Sequence, residues 1–325
     1  MVFRGGWLIL LLLLLGLAGC VSLPSGPAGG GAAAEPTEEA LAAAAEAAAR
    51  EAARPSNLCG PAQGEMFAYR KKVAVLAIPP QRPLEAADLP GIGGAWSQAL
   101  QRELDGTGRF LLRDGSGYGL EPRGDVAQQI VDAAQRLDAQ LVVAGRIVSL
   151  DRQSGRVEFG QAGAVRHPWR EGRVIEVELS LYDGFSGALI SRLNHHAEAR
   201  GQVVNRGHRP LQGDFFQTPL GLAVAELLEQ QREDLLDEMA CLPMMARIVG
   251  VQDEQVQIDA GFSSHLAPGD RLTLYQRRPG FGGVGAIEEA HGTAVVSQVF
   301  PETAVLQIEA VSWPDLRVNG VVRAW

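Results

Sequence analysis

Lys72-Val73-Ala74-Val75-Leu76-Ala77-Ile78, closed by Pro79-Pro80, is the stretch on which the fold turns. Its apolar run is unbroken and rich in β-favouring residues, which marks a strand covered on both faces, as in a parallel sheet flanked by helices. Downstream, Trp96, Leu100 and Leu104 recur at helical spacing with Ala99 beside them, and Gly106 and Gly108 stop that helix. A short strand is expected over 109–113. Asp125 can then cap a second helix whose inner face carries Val126, Ile130, Ala133, Ala134 and Leu137. Leu141 to Leu150 reads as another strand of the buried type. Strand, helix, strand, helix, strand is an α/β opening.

Further on, the period changes. Ile175, Val177, Leu179 and Leu181 alternate with Glu176, Glu178 and Ser180, so this strand has one wet face. Asp183-Gly184 and Ser186-Gly187 turn the chain, and Ala188 to Val203 returns as its partner. Thr218-Pro219 caps a long helix reaching about Met239, with Val224, Leu228, Leu235 and Met239 inward, and Cys241-Leu242-Pro243 ends it. After Met244 the signals are all β: runs at 246–251, 255–259, 271–275, 292–299, 304–308 and 318–323, separated by turn residues, as expected of a small barrel. The expected class is α+β. A mixed-sheet domain over 57–243 precedes a small β-barrel over 244–325.

Upstream of the fold, residues 1–19 form an address. Arg4 precedes an apolar run from Trp7 to Leu15, too short for a comfortable membrane span of about 20 residues. Leu17-Ala18-Gly19-Cys20 is similar to a bacterial lipobox, which implies lipidation of Cys20; the alternative is a soluble secreted protein. Two or more acyl chains anchor stably where one is marginal. Ser22, in place of an inner-membrane-retaining Asp, favours the periplasmic face of the outer membrane. Residues 20–56 follow as a Pro/Gly/Ala-rich tether and an Ala-rich spacer. The two remaining cysteines, Cys59 and Cys241, read as a disulfide in an oxidising compartment, with two buried free thiols as the alternative.

The 325 residues carry 29 Lys+Arg against 38 Asp+Glu, a net charge of -9, which excludes a basic nucleic-acid-binding surface as the main business of the chain. Gly280-Phe281-Gly282-Gly283-Val284-Gly285 matches a dinucleotide fingerprint only literally, because no helix opens from it; a hairpin loop is expected there. His195 and His196 sit side by side in a strand and so point to opposite faces. His167, His208, His265 and His291 are scattered over expected loops. No catalytic constellation, metal spacing or cofactor motif emerges, and no enzymatic activity is expected.

Several stretches, in order, resemble the flagellar assembly proteins of the FlgT type. Tyr69-Arg70-Lys71-Lys72-Val73-Ala74-Val75-Leu76 and Leu181-Tyr182-Asp183-Gly184-Phe185-Ser186-Gly187 are similar to parts of their middle domain. Asp214-Phe215-Phe216-Gln217-Thr218-Pro219-Leu220-Gly221, running to Cys241-Leu242-Pro243, is similar to its end. Gly261 with Leu266-Ala267-Pro268-Gly269-Asp270-Arg271-Leu272 resembles their SH3-like C-terminal barrel. The resemblance implies a TolB N-terminal-type fold and a place in the periplasmic H-ring around the flagellar motor. There the protein would help build the basal body and support stator assembly, as a ring homo-oligomer among other basal-body ring proteins. Two features depart from the family: its extra N-terminal domain is replaced by the tether, and a lipobox is added. The rival readings are another envelope lipoprotein, either a curli-type secretion component or an activator of cell-wall synthases, and an envelope hydrolase or sugar-binding module.

Overall fold

The computed structural model describes residues 68–153, 157–160, 163–166, 171–201, 203–205, 207–279, 286–311, 318 and 320–325. Residues 55–325 form one compact unit.

Its first half is a mixed sheet. β1 (Lys71–Leu76) lies parallel to β2 (Phe110–Gly115) on one side and to β3 (Leu141–Ser149) on the other. β7 (Gly172–Asp183) continues the sheet antiparallel to β3, and β8 (Leu189–Arg200) pairs antiparallel with β7. The two-residue β4 (Arg152–Gln153) joins the start of β7, while β5 (Val157–Gly160) and β6 (Gly163–Arg166) form a separate hairpin. Side chains alternate across a strand, so β1 serves two cores. Val73 and Val75 pack toward α1 (Ile92–Asp105) and α3 (Pro219–Ala240), and Leu76 packs toward α2 (Val126–Leu137). β3 does the same with Leu141 and Val143 on one face and Val142 and Ala144 on the other.

The change of period along the chain now has a cause. Ile175, Val177, Leu179 and Leu181 of β7 face the α1/α3 core, whereas on the opposite face Glu176 is exposed, Glu178 half-buried and Ser180 buried, and Tyr182 joins the α2 core. Local signals hold as read: Asp125 accepts from the backbone N–H groups of Ala127 and Gln128 at the start of α2, and Thr218 accepts from Gly221 N at the start of α3. Val126 differs. At the first position of α2 it is 37% exposed and stands outside the buried face of Ile130, Ala133 and Ala134.

Strand order β2-β1-β3 reverses direction at β1/β3, the place where open α/β sheets hold ligands beyond their strand ends. Here the chain fills that crevice itself. Ile147 N donates to Pro79 O (2.9 Å) and Gln81 N donates to Ile147 O (2.8 Å). α1 presses in so closely that a Cβ on Gly93 would stand 2.9 Å from Pro79 Cα. A 3-10 turn over Pro83–Ala86 follows on the outside.

The second half is a closed antiparallel barrel of six strands, ordered β10-β13-β12-β11-β14-β9. They are β9 (Met244–Gln252), β10 (Gln255–Ile258), β11 (Arg271–Pro279), β12 (Ala286–Val299), β13 (Ala304–Val311) and β14 (Val321–Ala324). Ile248, Val256, Ile258, Leu272, Leu274, Val296, Leu306 and Val322 fill its interior. Closure removes the open edges that a small sheet would otherwise expose. β11 and β12 pair to Pro279↔Ala286, so the glycine-rich 280–285 stretch connects a hairpin; its own residues lie outside the described ones. His291 is corrected from loop to strand: it sits in β12, 2% exposed, where the β11 register shifts.

Candidate functional site

The barrel is bound to the sheet by groups on the N-terminal ends of the sheet strands. Lys72 Nζ donates to Asp138 Oδ2 (2.7 Å) and to Asp259 O (2.5 Å), bridging β1 to the residue after β10. Asp138 ends α2 in a left-handed conformation (φ 51°) and also takes Arg113 Nη2 at 3.2 Å. Arg247 of β9 donates its backbone N–H to Asp259 Oδ1 (2.6 Å). Burial raises the Asp259 carboxyl above its ordinary range, and the Lys72 charge opposes that rise. Gln140 adds a neutral clamp, donating to Pro243 O (2.6 Å) and accepting from Met245 N (3.0 Å). Phe185 from the β7–β8 turn packs with Met245 and Val321, and the Arg247 guanidinium lies 4.7 Å from its ring centroid. Charge, amide and aromatic contacts thus join the two halves at one seam.

Lys71, beside this seam, donates to Met239 O at the end of α3 (2.9 Å). Burial, reinforced by the Arg109 charge, brings its ammonium down to about 8 from 10.5. The unfolded chain thus holds this proton more tightly, and the contribution of Lys71 to stability rises as pH climbs from about 8 to about 10.5. Urea midpoints across that window should show this rise in the native chain and lose it in Lys71→Met. Identical pH profiles for the two would refute it.

At the end of the barrel next to the entry of β1 lies a concave apolar groove of about 670 Å³, lined by Phe262, His265, Leu266, Ala267, Pro268, Val299, Phe300 and Pro301. Phe262 is 72% exposed and Phe300 48%. The groove is built by a close approach: Phe262 N donates to Phe300 O (2.8 Å) and Ser263 N to Pro301 O (2.9 Å). Gly261 permits this, since a Cβ there would stand 2.1 Å from Phe300 O. Exposed aromatics gathered in a concavity mark an interaction surface more than scattered apolar residues do. Sequence reading passed over both phenylalanines; an aromatic in a polar turn, Gly261-Phe262-Ser263-Ser264, was the available signal.

The residues tested for chemistry are not brought together. His195 is buried with Nε2 2.9 Å from Asp234 Oδ2, and His196 points to solvent on the other face. His208 pairs with Asp214 (3.1 Å), well apart in the chain from both, and His167 lies outside the described residues. Among the described residues no group of three His, Cys, Asp or Glu is placed to hold a metal ion. Arg173 and Asp88 form the deepest ion pair among the described residues, 85 residues apart in the chain, at 3.1 Å. Cys241 follows α3 and is disulfide-bonded. Cys20 and Cys59 lie outside the described residues, and so do the expected lipidation and the expected pairing with Cys59.

Residues 62–206 match the family model described as "Flagellar assembly protein T, middle domain". That part of the chain is similar to the middle domain of flagellar assembly protein T. The match spans β1 to β8; α3 and the barrel follow it. No curated protein matches the chain. Among solved structures, a hypothetical protein from Chlamydia trachomatis is 19% identical, with 53% of this chain and 98% of that one covered and a TM-score of 0.36. The PelC dodecamer from Paraburkholderia phytofirmans is 17% identical over 53% of this chain and 88% of that one, with a TM-score of 0.29. TolB from Acinetobacter baumannii is 16% identical over 74% and 47%, with a TM-score of 0.24.

Proposed function

We propose that this protein is a scaffold of the flagellar basal-body ring, held at the periplasmic face of the outer membrane by a lipidated Cys20 and working through binding rather than catalysis. The flagellar assembly protein T match over 62–206 carries this reading. The contacts that join barrel to sheet support it, because a ring subunit must present its contact faces in a fixed arrangement. So does the crevice at β1/β3, which is filled by Pro79 and Pro80 rather than left open to a ligand. In this reading the disulfide of Cys241 is made with Cys59 and ties the entering chain to the end of α3; non-reducing peptide mapping should recover that pair.

The test is genetic and biochemical. Deletion should abolish or strongly reduce swimming and remove the ring from isolated basal bodies. Cys20→Ser should shift the protein from the membrane to the soluble periplasmic fraction. Normal rings and swimming in the deletion strain would end the scaffold reading, and unchanged membrane association of Cys20→Ser would end the anchor.

A further inference from the structure

We infer that the barrel-end groove is a socket for the Pro83–Ala86 turn of a second copy of this chain, so that copies join head to tail. The inference deepens the ring reading and rests on it for its place in the cell; the contact itself is argued from the surface alone.

The plug is Leu84. At 91% exposure it is the most exposed of the large apolar side chains among the described residues. Nothing about the turn that carries it is loose. Pro83 opens it, and Arg82 Nη1 donates to Glu85 Oε1 at 3.0 Å. Leu150 N donates to Glu85 Oε2 at 2.8 Å, Arg173 donates to Glu85 O, and Ala86 is buried beneath. A rigid apolar knob loses little conformational freedom when it docks, which favours binding. The socket offers the matching surface: Phe262, Leu266, Pro268, Val299 and Phe300 around an open hollow.

Charges match as well. Arg82, with a side chain 64% exposed, stands beside the plug. Glu302, 60% exposed, stands at the rim of the socket, where Ser263 Oγ donates to it at 2.7 Å and Arg113 approaches only to 3.9 Å. Opposite charges placed so fix orientation and exclude wrong partners more than they add affinity.

Position decides the kind of assembly. The chain enters β1 against the socket, with Arg70 N donating to Ser264 O (3.1 Å), and leaves β1 toward the plug through Pro79 and Pro80. Six residues of strand at about 3.3 Å each put the two features on the order of 20 Å apart or more, at opposite ends. A plug at one end and a socket at the other make a heterologous contact, which repeats into a ring or a filament rather than closing as a twofold dimer.

The experiment uses the full-length lipidated chain, cross-linked in cells and sedimented after purification in detergent. Leu84→Cys combined with Phe300→Cys should give a ladder of dimer, trimer and higher species on oxidation, while each single variant should give no ladder. Leu84→Asp should weaken self-association roughly tenfold or more, as loss of a central anchor does, with the circular dichroism spectrum unchanged because Leu84 touches no core. Arg82→Glu should weaken it too, and Glu302→Arg in the same chain should restore it. A chain that stays monomeric, or whose association ignores Leu84→Asp, overturns the inference. If Phe262→Asp instead lowers binding to phosphatidylethanolamine/phosphatidylglycerol vesicles and leaves association intact, the groove serves the membrane and the inference also fails. Association is read without reference to swimming, so a non-flagellar chain that still forms the ladder would refute the ring reading alone.

Discussion

Replacing Arg173 by Met should cost the fold about 3–5 kcal/mol, the usual penalty for removing one partner of a buried ion pair. The Arg173 side chain is fully buried and its guanidinium reaches both Asp88 carboxylate oxygens at 3.1 Å. It also donates to the carbonyls of Leu150 (3.0 Å), Glu85 and Val203 (3.5 Å). Methionine would fill the space yet leave those carbonyls and much of the Asp88 charge without a donor. Burial acts to raise the Asp88 carboxyl, but hydrogen bonds from Arg173, Asn205 and Arg152 outweigh it and hold the carboxyl below its ordinary range. With Arg173 gone, burial would dominate and Asp88 would take up a proton more readily. Urea unfolding should show a lower midpoint with little change in slope. Combining Arg173→Met with Asp88→Asn should cost clearly less than the sum of the two. A loss below about 1 kcal/mol, the scale of a solvated surface pair, would refute the assignment. The same substitution removes the donor to Glu85 O in the turn that carries Leu84, while the Glu85 carboxylate keeps Leu150 N and Arg82.

Trp96→Ala should cost about as much, roughly 3–5 kcal/mol, through the cavity left in the main core. Trp96 is wholly buried in α1, and its indole Nε1 donates to Gln231 Oε1 of α3 at 3.0 Å, joining the two helices that cover one face of the sheet. Gln231 is itself wholly buried, so losing the indole also leaves its carbonyl oxygen unpaired. Trp96→Phe separates the two effects. It retains most of the volume and removes the donor, and should cost about 1–3 kcal/mol, the range for an orphaned buried acceptor. If the Ala and Phe variants unfold at the same urea concentration, packing of the indole is not what holds α1 to α3.

Much of the architecture could be read from the sequence because its causes are local. An unbroken apolar run becomes a strand between two helical layers, as Val73 to Leu76 of β1 does. The alternation at Ile175–Leu181 becomes a strand with one face in the core and the other wet only at its start, since Glu176 is exposed and Ser180 buried. Asp125 and Thr218 cap helices by reaching backbone groups two or three residues away. His195 and His196 part to opposite faces for the same reason of strand geometry. His291 was misplaced because a register shift in the barrel, not its neighbours in sequence, buries it.

Sequence by itself determined the class of each half, the order of the main elements though not β4 to β6, and the resemblance to flagellar assembly proteins, since periodicity, caps and turn residues act over one or two turns of chain. Only the tertiary structure decided what lies where distant segments meet. Arg173 finds Asp88 across 85 residues. Lys72 reaches Asp259 across 187 residues to lock barrel to sheet. Phe262 and Phe300 become one groove because Gly261 lets two loops touch. Such contacts depend on packing and chain closure, and no local pattern encodes them.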